Sequence, residues 1–193
     1  MYKFIFVLLS LLTFSCTQKK YKDPHIIIET EYGDIEIELY PHKAPKTVTA
    51  FLTNVDAGLF KKSSFYRVLK NDNVPEEYNS GLIQGGIFKT NPSAQNQVKA
   101  IEHESPKQTG LSHVSGTISM ARTTPGSATS EFFICIGDQL QFDSSSGGNY
   151  DGLGYAAFGK VFKGMKVARQ IQNKKSNGEN FDAPVKINNI KRL

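Results

Sequence analysis

Residues 26–40 read IIIETEYGDIEIELY, and this stretch decides the class of fold. Ile35, Ile37 and Leu39 alternate with charged residues, so they lie on one face of a strand. The isoleucines before them are typical of a second strand, and Glu31–Gly33 supplies the residues of a turn. The stretch therefore predicts a β-hairpin with one buried face.

The segment after the hairpin, Ala44–Ala57, is predicted to be a helix. Pro45 suits its first turn and Gly58 its end. A stripe spaced i, i+3, i+4, i+7 gives the helix one core-facing side, formed by Val48, Phe51, Leu52 and Val55. A second helix is predicted for Met165–Gln172.

Six further short runs are typical of strands. They are Ser64–Leu69, Leu82–Gln84, Gly116–Met120, Glu131–Ile136, Ala156–Phe162 and Val185–Lys191. The segments between them are rich in turn residues and are predicted to be loops: 71–80, 87–115, 121–130 and 143–154. Many short strands and two helices predict a mainly β fold, either a barrel or a sandwich. Closure into a barrel would remove exposed strand edges.

Composition and charge exclude several classes of protein. The 193 residues are 39% hydrophobic and 21% charged, which suits one folded domain without a dividing linker. The net charge of +5 is mild and spread along the chain, so a nucleic-acid partner is not expected. The two cysteines, Cys16 and Cys135, are too few for a disulfide scaffold or a Cys-rich zinc site.

The first sixteen residues are typical of an export signal. Lys3 precedes the apolar run Phe4–Phe14, which is shorter than the roughly 20 residues that a membrane-spanning helix needs. Ser15 and Cys16 resemble the lipobox of bacterial lipoproteins, although Phe14 is bulky where a small residue is usual. An ordinary signal peptide with an incidental cysteine is the alternative.

The lipobox resemblance implies a domain plan. Residues 1–15 would be a lipoprotein-type signal peptide, Cys16 the lipidation site, 16–24 a polar tether and 25–193 the functional domain. The protein would then be anchored to a membrane of the cell envelope, facing the periplasm or the surface.

Familiar motifs for other chemistries are incomplete. The four histidines lack the spacing of metal ligands, and no G-x-S-x-G elbow is present. Gly152–Ala157 imitates a dinucleotide fingerprint but precedes a strand where that motif needs a helix. No metal and no cofactor are therefore expected.

Five ordered segments carry the functional signal. They are Phe65-Tyr66-Arg67, Leu82-Ile83-Gln84-Gly85-Gly86, Ser119-Met120-Ala121-Arg122, Ser130-Glu131-Phe132-Phe133-Ile134-Cys135 and Phe158-Gly159-Lys160-Val161. Each alone has an ordinary structural interpretation, such as a core Phe pair or a glycine bulge. Together they resemble the cyclophilin family of peptidyl-prolyl isomerases, from about Ile26 to Leu193.

The resemblance implies a closed eight-stranded antiparallel barrel, capped by two α-helices, with the active site on its outer surface. It implies that Arg67 is catalytic and that Gln84 orients it. It implies an apolar slot for the proline ring, formed by Leu82, Phe133 and Phe142 with Phe65 as close support. It also implies a strip that binds the peptide backbone, formed by Ala121, Arg122 and Thr123.

The sequence departs from the family pattern around this site. It has no Trp, and Gln141 falls nearest the place of the usual Trp wall. Tyr155 stands where many members carry His, and Glu131 where many carry Gln. We expect Glu131 to form an ion pair with Arg67, which would fix the guanidinium or partly neutralise it. An insert, 71–80, is expected to lengthen the loop beside the site.

Three functions are compatible with this sequence. The first is a prolyl isomerase that assists the folding of secreted or cell-envelope proteins. The second is a proline-peptide-binding or chaperone-like module with little turnover, and the third is an unrelated β-barrel scaffold. For the first two, the expected partners are proline-containing segments of other proteins and, through Cys16, a membrane. The expected state is a monomer.

Overall fold

A computed structural model describes residues 21–145 and 151–193, apart from the side chain of Pro92. The strands in these ranges are β1 (His25–Thr30), β2 (Gly33–Leu39), β3 (Ser63–Leu69), β4 (Gly81–Gly86), β5 (Thr117–Met120), β6 (Phe132–Ile136), β7 (Ala156–Lys163), β8 (Ser176–Asn177) and β9 (Asn180–Arg192). The α-helices are α1 (Pro45–Asp56), α2 (Pro92–Gln95), α3 (Pro106–Thr109) and α4 (Met165–Gln172).

The strands close into a barrel. Eight of them are hydrogen-bonded in the order β1-β2-β7-β5-β6-β4-β3-β9, and β9 pairs with β1 to complete the circle. All pairings are antiparallel, and the two-residue β8 forms a hairpin with β9. The expected closed eight-stranded barrel is confirmed. Closure satisfies the backbone groups that the edges of a sandwich would expose.

The hairpin and the two predicted helices form as expected. Ile26 pairs with Ile37 and Ile28 with Ile35, and all four side chains are fully buried in the barrel. The α1 stripe packs into the same core, where Phe51 meets Phe158 at a ring-centroid distance of 5.0 Å. Helix α4 has the predicted bounds and buries Ala168 and Ile171.

The predicted loops contain short helical turns. A 3-10 turn occupies Glu76–Tyr78, and α3 begins with a capping box between Ser105 and Gln108. Asn79 closes the insert 71–80 at its base, since its side chain exchanges two hydrogen bonds of 2.9 Å with the backbone of Asn71. Arg169 of α4 donates to Asn79 O, so this insert lies toward α4.

Strand alternation places a second apolar cluster outside the barrel. Ile134 of β6 points into the core, whereas Phe133 and Cys135 point outward. Leu82 of β4, which pairs with Cys135, also points outward. This outer cluster is the floor of the groove described below.

The N-terminal segment meets the barrel before β1. Tyr21 stacks on His25 with ring centroids 3.7 Å apart, and Leu39 N donates to Pro24 O. The predicted signal peptide 1–15, Cys16 and the first part of the tether lie outside the described residues. Within the described ranges, no helix is both long and apolar enough to cross a membrane.

Candidate active site

A groove of about 460 Å³ lies on the outer face of the barrel, over the second apolar cluster. Its walls include Arg67, Leu82, Gln84, Ala121, Arg122, Thr123, Glu131, Phe133, Phe142 and Tyr155. The structure therefore brings together ten of the eleven predicted catalytic and substrate-binding residues, all except Phe65. The insert 71–80 does not line the groove, but it lies beside it as expected, since it connects the lining residues Leu69 and Leu82.

A β-bulge at Tyr66 sets the orientation of the polar side of the groove. Phe65 pairs with Gly85 and Arg67 with Gln84, so Tyr66 is an extra residue in β3. Without the bulge, Phe65 and Arg67 would share a face. With it, Phe65 points inward and is fully buried among core rings, so its expected place beside the proline slot is wrong.

The Arg67 guanidinium is held at the rim by two acceptors. Nη1 donates to Gln84 Oε1 at 2.7 Å, which is the orienting contact expected of Gln84. Nε and Nη2 donate to Glu179 Oε2 at 2.9 and 2.6 Å. Glu179 is 112 residues away along the chain, and the sequence motifs do not include it.

The expected ion pair between Glu131 and Arg67 is absent: Glu131 turns to other donors. Its Oε2 accepts from Tyr66 Oη at 2.7 Å, and its Oε1 accepts from the backbone N–H groups of Ile87 and Phe88. A Cβ on Gly86 would lie only 2.4–2.5 Å from this carboxylate, which is why that strand end has no side chain. These contacts hold the Glu131 carboxylate in the side of the groove, where it does not contact Arg67 directly.

Glu131 still reaches Arg67 indirectly. Gln84 Nε2 donates to Tyr66 Oη at 3.1 Å, so a chain of hydrogen bonds runs from Glu131 through Tyr66 and Gln84 to Arg67. Burial raises the pKa of Glu131, against the hydrogen bonds from Tyr66, Ser130 and the backbone. Burial and the Glu131 carboxylate also raise the pKa of Tyr66, which keeps its hydroxyl a donor.

Three aromatic rings form the apolar side. Phe133, Phe142 and Tyr155 meet edge-to-face, with all three centroid distances 5.5 Å. Phe133 is only 3% exposed, and Leu82 packs beside it. Gln141 is exposed and does not line the groove, so this trio stands in place of a Trp wall.

His113 supports Phe133 from beneath. Its ring is nearly parallel to the Phe133 ring at a centroid distance of 5.8 Å. Nδ1 lies 2.6 Å from Asp143 Oδ1, and Nε2 lies 2.9 Å from Ser119 Oγ. Burial lowers the pKa of His113, although Asp143 acts in the opposite direction. The neutral ring donating to Asp143 accounts for both contacts.

Arg122 connects the backbone strip to the aromatic side. Its side chain forms a bidentate ion pair with Asp151 at 2.7 and 2.9 Å and also donates to Gly154 O. The guanidinium lies 5.2 Å from the centroid of the Tyr155 ring. Arg122 therefore fixes Tyr155, and it holds the pKa of Asp151 down to about 2.

Sequence reasoning did not predict Tyr66, Glu179 and His113, which support the side chains of the groove. It also missed four lining residues, Leu69, Phe88, Ser127 and Thr129. Tyr66 lies in the motif Phe65-Tyr66-Arg67, but regular alternation along a strand predicts that its side chain faces the core when that of Arg67 faces outward. Glu179 and His113 carry no local motif. Among the described residues, no group of three or more His, Cys, Asp and Glu is placed to hold a metal ion.

Comparison with known proteins identifies related chains. The family model described as "Cyclophilin type peptidyl-prolyl cis-trans isomerase/CLD" matches residues 25–192. A peptidyl-prolyl cis-trans isomerase of Acinetobacter baylyi is 39% identical over 147 residues, 76% of this chain and 70% of the relative. Peptidyl-prolyl cis-trans isomerase A of Dickeya dadantii is 36% identical over 168 residues, 86% of this chain and 80% of the relative.

A solved structure shares the fold. The cyclophilin type peptidyl-prolyl cis-trans isomerase cgd2_1660 of Cryptosporidium parvum matches with a TM-score of 0.68 and 23% identity. The match covers 88% of this chain and 97% of that one. The same protein was also crystallised in the presence of the dipeptide Ala-Pro.

Proposed function

The chain belongs to the family of cyclophilin-type peptidyl-prolyl cis-trans isomerases, and we propose that it acts on prolyl bonds of secreted or cell-envelope proteins with Arg67 as the catalytic residue. One observation carries the residue assignment. The Arg67 guanidinium is fixed at the rim of a groove whose opposite side is three aromatic rings.

The chemistry needs a directed donor beside an apolar slot. Resonance gives the prolyl C–N bond a rotation barrier of roughly 18–20 kcal/mol, and the twisted state regains a lone pair on nitrogen. A fixed guanidinium donor stabilises that state more than the planar amide, which is the condition for catalysis. An arginine guanidinium carries its charge at any physiological pH. No covalent intermediate is required.

The remaining residues bind the peptide. The ring of the substrate proline fits the slot of Phe133, Leu82 and Phe142, where burial of apolar surface supplies affinity. The strip Ala121–Thr123 edges the groove and is positioned to hydrogen-bond residues before the proline. The Ala-Pro dipeptide used with the Cryptosporidium protein has the chemistry that this slot would accept.

The test is a proline-isomerisation assay on the full chain beside Arg67→Ala. We expect the variant to lose about 10²–10³-fold in rate, the range for removing one preorganised donor. Its unfolding midpoint should match the parent, because the Arg67 side chain is 35% exposed. Unaltered turnover would overturn the assignment.

A second candidate is a prolyl-peptide-binding module with little turnover. The absence of a Trp favours it, because Gln141, which falls nearest the place of the usual Trp wall, is exposed and does not line the groove. The two candidates separate in one experiment, titration with an X–Pro peptide followed by the exchange assay. Binding without acceleration of exchange would select the module.

We also propose that Cys16 is lipidated and anchors the domain to the cell envelope. The support is the export-type segment 1–15 followed by Ser15-Cys16. The segment Tyr21–Pro24 already contacts the barrel, so the free tether would be shorter than predicted from sequence. The test is membrane fractionation of bacteria fed a labelled fatty acid. The label should follow the chain and disappear in Cys16→Ser; equal labelling of both would contradict the proposal.

A further inference from the structure

The turn between β8 and β9 places the carboxylate of Glu179 beside Arg67, although the two residues are far apart in the chain. Strands β8 and β9 are joined by the two residues Gly178 and Glu179, with Asn177 paired to Asn180. Gly178 has φ +57, which a tight turn of this kind favours in glycine. The carbonyl of Glu179 accepts from Val68 N at 2.8 Å, so the backbone of the turn is fixed beside β3.

The contacts of Arg67 leave one part of its guanidinium unoccupied. A guanidinium has five N–H donors. Glu179 Oε2 takes one from Nε and one from Nη2, and Gln84 Oε1 takes one from Nη1. Within the described chain, the donors left over are one N–H on Nη1 and one on Nη2. These two donors lie on the two terminal nitrogens of the guanidinium and remain available to a substrate carbonyl.

We propose that Glu179 is a positioning residue for Arg67, which fixes the guanidinium plane so that this donor pair faces the prolyl peptide. The inference rests on the proposed function, because it assigns a role to the same groove. Gln84 alone fixes one nitrogen and leaves the guanidinium free to turn about that contact. Glu179 adds the second anchor that defines the plane.

The negative charge of Glu179 has a competing effect, since it offsets part of the charge of Arg67. The Glu179 side chain is 57% exposed, so water screens much of this electrostatic effect. The orientation that Glu179 gives to Arg67 depends on the position of its acceptor oxygen and not on its charge. Both donated bonds end on one oxygen, Oε2. A glutamine carbonyl can therefore replace the acceptor without the charge.

The test compares Glu179→Gln and Glu179→Ala in the full chain. We expect Glu179→Ala to lose about three- to tenfold in kcat/KM on an X–Pro peptide, the effect of losing a hydrogen bond or two. Glu179→Gln should stay within about twofold of the parent, since it restores the acceptor. The exposed Glu77, which lies in the insert and outside the groove, provides the matched control Glu77→Ala with no change.

A spectroscopic readout separates positioning from general stability. The Arg67 Nε–H should exchange slowly with water in the parent and in Glu179→Gln, and rapidly in Glu179→Ala, by nitrogen-15 NMR. If both Glu179 variants catalyse isomerisation faster than the parent, the main effect of Glu179 is to offset the charge of Arg67, and the inference fails.

The inference also fails if Glu179→Ala keeps the kcat/KM of the parent, or if Glu179→Gln loses as much kcat/KM as Glu179→Ala.

Arg67→Ala, run in parallel, keeps the two proposals apart. An active Arg67→Ala overturns the proposed function itself. An inactive Arg67→Ala beside an unchanged Glu179→Ala overturns only the positioning role. The double variant should be no slower than Arg67→Ala, because Glu179 acts through Arg67.

Discussion

The two sides of the groove are built by different means. On the polar side, the side chains of Arg67 and Glu179 are 35% and 57% exposed and are held by hydrogen bonds from three separate segments. On the apolar side, Phe133 is 3% exposed and rests on the fully buried His113. A charged group stays near water because its burial is unfavourable, so directed contacts must orient it. Rings can be fixed by packing alone.

This contrast predicts that variants on the two sides affect different properties, namely the affinity for the peptide on the apolar side and the rate of isomerisation on the polar side. Variants on the apolar side should change stability and peptide binding together, because the same packing serves both. Variants on the polar side should change the rate of isomerisation with little effect on folding.

The largest effect on stability is expected from Phe133→Ala. Removing this ring should lower the free energy of unfolding by about 3 kcal/mol, as for other buried Phe residues. Loss of the slot should also weaken prolyl-peptide binding by more than tenfold, about 1.4 kcal/mol or more. The measurements are denaturant unfolding and peptide titration. Phe133→Leu is the control that keeps an apolar floor, and unchanged affinity in Phe133→Ala would contradict the role of the ring.

A smaller effect is expected from pH, again on the apolar side. The pKa of His113 is lowered from its ordinary value of 6.5, so below that value the unfolded chain binds more protons than the folded one. Stability should therefore fall as the pH is lowered from about 7 to 5, by at most about 1.4 kcal/mol per pH unit from this residue. Asp143, whose pKa is also lowered, adds a loss only near and below 3.8.

His103 also has a lowered pKa, so the contribution of His113 must be isolated. The measurement is the free energy of unfolding at several pH values for the parent and His113→Gln. The variant should show a shallower dependence between pH 7 and 5. Equal slopes would mean that His113 does not titrate as inferred.

The smallest effect is expected from Tyr66→Phe on the polar side. The change removes the hydroxyl that links Gln84 to Glu131 but leaves Arg67 both of its direct acceptors. We expect a two- to fivefold lower rate with unchanged peptide affinity, in line with about 1 kcal/mol for one hydrogen bond. A change in affinity larger than the change in rate would place Tyr66 with the binding residues.

Local patterns predicted the parts of the fold that depend on neighbouring residues. The alternation of 34–40, the α1 stripe and the bounds of Met165–Gln172 all formed as predicted. The outward direction of Leu82 and Phe133, which the family resemblance implied and strand alternation allowed, is also observed. The misplacement of Phe65 has a clear cause: the bulge at Tyr66 appears only when β3 pairs with β4 and β9.

The sequence alone determined a mainly β chain with an isomerase-like set of residues, because period-2 alternation and short motifs are local properties. The tertiary structure decided which groups touch: Arg67 meets Glu179 rather than Glu131, and Phe133 rests on His113. These contacts join residues far apart in the chain. The pairing of β3 with β9 brings Glu179 to Arg67, and the pairing of β5 with β6 brings His113 to Phe133.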